Sequence, residues 1–138
     1  MLGFAETGDA VVVADLEAGI GTLTRLEPAA VDVTVVVVEP TLRSIDVGRR
    51  AVSVAESQRQ GRVVLVANKV DDEQDRARIT EAFGARPLVV VPADPAVDAA
   101  DRFGVSPVDH EPSAPAVAAV EVLADMLADM LGADPPVR

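Results

Sequence analysis

The sequence contains no cysteine, tryptophan or tyrosine, and only three phenylalanines in 138 residues. The lack of cysteine excludes disulfides, thiol nucleophiles and thiolate metal sites. The scarcity of aromatics requires an aliphatic core, drawn from the Val and Ala that dominate an apolar share of 49%. The single histidine, His110, has no cysteine or second histidine to share a metal, and it reads as a loop imidazole. No apolar run approaches the roughly 20 residues that cross a bilayer, and residues 1–9 lack the pattern of a secretory signal. Positive charge is also sparse: 12 Lys and Arg against 23 Asp and Glu leave a formal net charge of −11. A phosphate backbone is a poor partner for such a chain, because its binders carry basic patches. These absences predict a cytoplasmic protein with no nucleic-acid partner and no membrane span.

The length suits one domain with a proper core, expected over residues 1–132, with a frayed tail at 133–138. Ala10–Val13 is a short unbroken apolar run, the pattern of a strand buried on both faces of a parallel sheet. Asp15 would then stand at its carboxyl end, where open α/β sheets bind ligands. Thr22–Pro28 reads as a turn or short helix. Val31–Val38 is a second strand, closed by Glu39-Pro40.

Thr41–Gln60 is predicted helical, with Ile45, Gly48, Val52 and Ala55 on one stripe. Thr41 or Ser44 would be its N-cap and Gly61 its left-handed terminator. Arg62–Ala67 is a third strand, running into Asn68-Lys69-Val70-Asp71. Glu73–Phe83 follows as a helix capped by Asp71 or Asp72. Leu88–Val91 is a fourth strand, and Asp94-Pro95 is an N-cap and N1 pair for a helix that stops at Gly104. Ser106–Pro115 reads as a proline-rich loop. In the last helix, Ala116–Leu131, one stripe is Ala116, Val120, Leu123, Leu127 and Met130, while Glu121, Asp125 and Asp129 face elsewhere. Strands alternating with helices predict a three-layer α/β sandwich with a mainly parallel sheet of four or so strands.

The chemistry-bearing residues gather at the expected strand ends. In order they are Asp15-Leu16-Glu17-Ala18-Gly19, Val38-Glu39-Pro40, Val66-Ala67-Asn68-Lys69-Val70 and Val91-Pro92-Ala93-Asp94-Pro95. This series resembles the C-terminal half of the MinD/ParA-like deviant-Walker ATPases. It is most similar to the CooC-type accessory ATPases associated with nickel insertion into carbon monoxide dehydrogenase. The resemblance spans about residues 10–131 and implies a truncated P-loop NTPase fold. It implies that Asp15 is the switch carboxylate that orders Mg²⁺ and that Gly19 approaches a γ-phosphate. By the same resemblance Asn68 reads the adenine edge, Pro92 and Asp94 line the base pocket, and Arg25 is an arginine following the switch; the residue type of Lys69 fits equally a stem stacked on the base and a surface lysine.

The departure is the phosphate site. A P-loop needs a Gly-rich turn carrying Lys and Ser/Thr, and the only lysine here is Lys69, far from any such turn. The relatives' P-loop and cysteine pair both precede the Asp15 position, so the chain looks like a member without its N-terminal half. ATP or ADP with Mg²⁺ would bind weakly or not at all, hydrolysis by this chain alone is not expected, and function would run through a protein partner or a homodimer. A second reading is the C-terminal part of a true ATPase for nickel-centre maturation, its P-loop half lying upstream or on another chain. Asn68-Lys69-Val70-Asp71 also matches the guanine-reading Asn-Lys-x-Asp of Ras-like GTPases, but the Asp-x-x-x-Gly turn departs from the Asp-x-x-Gly of that class. A receiver-like reading, with Asp15 taking phosphate and Lys69 closing the site, lacks the adjacent acid pair. Glu17 and Glu39 read as solvated strand-end acids.

Overall fold

The computed structural model describes residues 11–16, 20–28 and 30–132. At its centre three parallel strands, β1 (Val33–Val38), β2 (Arg62–Val70) and β3 (Leu88–Pro92), lie side by side in chain order. Val38 lies opposite Ala67 and Ala67 opposite Val90, so the three carboxyl ends share one edge of the sheet. Valine fills these strands because its branched Cβ suits the extended backbone and packs on a pleated surface.

Parallel neighbours need crossovers, and each crossover is a helix. α2 (Leu42–Ser57) joins β1 to β2, and α3 (Glu73–Phe83) joins β2 to β3. A short α1 (Ile20–Leu23) precedes β1 and packs on α2, with Leu23 buried. After β3 come α4 (Pro95–Phe103), α5 (Pro107–His110) and α6 (Pro115–Leu131).

The period-two alternation of the strands sorts their side chains between two faces. Val36, Val38, Leu65 and Ala67 pack with Ile45 and Val52 of α2 and with Ile79 and Phe83 of α3. Val66, Val89 and Val91 point the other way, against Ala116, Ala119, Leu123 and Met126 of α6. Helices on both faces make this a three-layer α/β arrangement, as the alternation of elements predicts. Each fully buried side chain such as Leu65 or Ile79 contributes about 1.5–3 kcal/mol. Gly48 permits the close approach of α2, since a Cβ there would come within 2.4 Å of Val38 Cγ1 and 3.0 Å of Phe83 Cζ.

Four expectations need correction. The apolar run before Asp15 is not a buried strand: Val11–Leu16 has no regular structure, and Val13 is 87% exposed. A strand needs a backbone partner, and high β-propensity over so few residues does not substitute for one. Among the described residues the sheet therefore has three strands. α2 ends at Ser57 with Gln58 as C-cap, and Arg59 takes the left-handed conformation just beyond it. Gly61 is also left-handed, but it serves the tight entry to β2, where a Cβ would lie 2.1 Å from the Asp32 carbonyl oxygen. The expected loop over Ser106–Pro115 contains α5. The sheet-facing stripe of α6 passes through Ala119 and Met126, leaving Val120 exposed.

Among the described residues an apolar surface is exposed on the sheet. α6 packs on β3, and the same face of β1 is bare: Val35 and Val37 are exposed, Val37 by 57%. Among the described residues no strand flanks the outer edge of β1.

Candidate functional site

The site is the shared carboxyl edge of the sheet, and a bulge shapes it. Between Ala67 and Val70 the central strand has one residue more than β3, which runs only from Val90 to Pro92 over the same interval. Lys69 absorbs the extra residue with φ of 55°, a left-handed conformation uncommon for a side chain larger than glycine. The bulge reverses the alternation, which returns Val70 to the α2/α3 side of the core. It also presents the Lys69 side chain to solvent at the strand end.

The Lys69 ammonium meets Glu39 at the end of β1, Nζ to Oε1 2.8 Å. Glu39 is held by its backbone, whose N–H donates to Ser44 Oγ at 2.9 Å, while Thr41 Oγ1 caps α2 by accepting from the Ser44 N–H. The hydrogen bond to Glu39, the negative charge of that carboxylate and a weaker attraction from Asp98 hold the lysine above its ordinary pKa. The ion pair is exposed on both sides, so solvent screens it. Strand pairing creates this contact, because residues 30 apart in sequence become neighbours only once β1 and β2 are in register.

Asp94 has a more definite task than lining a pocket. Its Oδ1 accepts from the Ala96 N–H at 2.9 Å, capping α4, and its Oδ2 accepts from the Ala116 N–H at 2.9 Å in the first turn of α6. One carboxylate thereby closes two helix N-termini, where the helix dipole favours negative charge. α6 requires this help because its own N-cap residue is Ala114, with no side-chain acceptor. An alanine-proline helix start is the sequence signal for a cap supplied from elsewhere.

The remaining candidates divide. Asn68 and Pro92 lie half-buried on the same edge as Lys69 and Asp94, so four of the six expected nucleotide residues are brought to one place. Asp15 lies on the exposed irregular segment and not at a strand end, while Gly19 and Glu17 fall outside the described residues. Arg25 is exposed in the turn after α1. Asp71 is exposed beyond β2, and its N–H donates to Asp75 Oδ2 at 3.3 Å. His110 ends α5 with its ring 5.7 Å from that of Phe103.

At this edge the Lys69 ammonium is engaged by Glu39, Arg78 donates to the Pro40 carbonyl at 2.8 Å, both oxygens of Asp94 accept from backbone N–H groups, and Asp98 adds another negative charge. Among the described residues no three His, Asp or Glu side chains are grouped to hold a metal ion, at Asp15 or elsewhere. A shallow cleft of about 300 Å³ lies away from this edge, between α2 and α3, with Arg49, Glu56, Phe83 and Arg86 in its wall. There Arg49 Nε and Arg86 donate to the Ala82 and Phe83 carbonyls at the end of α3, a helix-capping role. No helix of the described residues is long and apolar enough to cross a membrane. No protein-family model matches the chain, and no curated protein matches it.

Proposed function

We propose that this chain is a degenerate nucleotide-binding-fold protein of the MinD/CooC type that does not hydrolyse ATP alone and acts through a protein partner. The observation that carries the reading is the state of the strand ends. Residues that resemble a nucleotide site stand together there, but the only lysine is paired with Glu39 and Asp94 is occupied as a double helix cap. Phosphate binding requires uncommitted donors, and this edge has net negative charge instead.

The test is calorimetric titration of the purified chain with ATP, ADP and GTP, with and without Mg²⁺. The reading expects no binding up to millimolar nucleotide. Adenine-nucleotide binding that is lost in Asn68→Ala would overturn it and support a second reading. In that reading the chain is the C-terminal part of a true metal-maturation ATPase, and its P-loop half is supplied by upstream sequence or another chain. Among the described residues no strand flanks β1 and Val35 and Val37 are exposed on its face, which favours this alternative, since an additional strand would pair at that edge.

A further inference from the structure

The α4–α5 corner exposes the largest apolar side chain on the described surface. Phe103, the last residue of α4, is 73% exposed, whereas Phe83 is buried in the core. Its ring packs on His110, which draws α5 against the end of α4, and Val105 and Val108 in the same corner are exposed too. Single exposed apolar residues are ordinary, but an aromatic grouped with two valines is the composition of an interface centre. Acids flank the group: Asp101 on α4, Asp109 on α5, and Glu111 just beyond it, against the single Arg102. Among the described residues no cation pairs with Asp101 or Asp109.

We infer that the Phe103–Val105–Val108 corner is a docking surface for a basic amphipathic segment of another protein, with an apolar side chain set against Phe103 and Lys or Arg on the acidic rim. The inference deepens the reading that the chain acts through a protein partner and names the class of that partner. Charge complementarity decides among occupants. A second copy docking through the same patch would bring identical acids together in a chain of net charge −11. Nucleic acid and anionic lipid are repelled by the same rim.

The test uses the full chain and a Leu/Lys amphipathic peptide of about five helical turns, with a Leu/Glu peptide of the same pattern as control. NMR shift changes should centre on residues 101–110, and calorimetry should show affinity that falls with added salt. Phe103→Ser should weaken binding by about tenfold or more, as loss of an aromatic anchor does. Asp101→Asn with Asp109→Asn should weaken it and flatten the salt dependence, while Glu73→Gln with Glu81→Gln on distant α3 should leave it unchanged. All the substituted residues are exposed, and circular dichroism confirms that each variant is folded. Equal binding by Phe103→Ser or by the Leu/Glu peptide, or shifts centred on another surface, would overturn the inference. Self-association abolished by Phe103→Ser would overturn it in favour of a second copy. Because the test contains no nucleotide, its failure leaves the calorimetric result on ATP standing, and the two readings fail separately.

Discussion

Replacing Asp94 separates a capping role from a ligand-binding one. Asp94→Ala removes an acceptor from the N-terminus of α4 and from that of α6, each now 2.9 Å from its backbone donor. Hydrogen bonds to charged groups contribute about 1.5–3 kcal/mol each, and loss of an N-cap costs about 1 kcal/mol. Asp94 is only partly buried, so water can replace some of the lost acceptor, and the expected loss is about 2–4 kcal/mol for the two ends together. Asp94→Ser keeps a local cap for Ala96 but is too short to reach Ala116, and should lose about half as much. With no Trp or Tyr in the chain, the assay is far-UV circular dichroism through urea and thermal unfolding. For a domain of this size the alanine variant should melt roughly 6–12 °C below the parent. Amide exchange should quicken at the start of α6 in both variants, and at the start of α4 only in the alanine variant. A stability change within about 0.5 kcal/mol, the range of an ordinary surface substitution, would refute the double-cap argument.

Further consequences follow from other residues. Lys69 is the only lysine, so its side chain gives a single NMR titration curve, which should lie above the ordinary lysine range and move back down in Glu39→Gln. Because the folded-state pKa is the raised one, any stabilisation from the pair is fully present below the unfolded lysine pKa of about 10.4 and is lost as pH rises through the folded value. Gly61→Ala combines a left-handed backbone with a Cβ 2.1 Å from the Asp32 oxygen, and should cost more than about 2 kcal/mol in urea unfolding. Gln60 is fully buried and bridges two backbone groups, donating to the Glu27 carbonyl at 2.7 Å and accepting from the Ala30 N–H at 3.1 Å. Gln60→Leu keeps the bulk but removes both bonds, leaving the Ala30 N–H only its 3.2 Å bond to the Glu27 carbonyl, so at about 0.5–1.5 kcal/mol for each bond it should cost about 1–3 kcal/mol and quicken exchange of the Ala30 amide.

Local chemistry was the legible part of this chain. The helix Glu73–Phe83 matches its prediction because Asp72 caps it from the adjacent position, Oδ1 accepting from the Asp75 N–H at 2.9 Å, and Gly84 stops it. Asp94-Pro95 and Gly104 bound α4 in the same way. Those signals act over a few residues and need no partner. Ala10–Val13 shows the limit of such reading, since an apolar run states a preference for burial but not which strand will lie beside it.

The sequence by itself determined the α/β alternation, the parallel sheet with an aliphatic core, the caps of α3 and α4 and the sign of the surface charge. Each is a property of residues close together in the chain or of composition. Tertiary structure alone decided that Lys69 meets Glu39, that Asp94 caps α6 from 22 residues away, that α6 covers β3 and leaves β1 bare, and that Phe103 stands exposed beside His110. Each of these depends on strand register and helix placement, which arise from packing the whole chain.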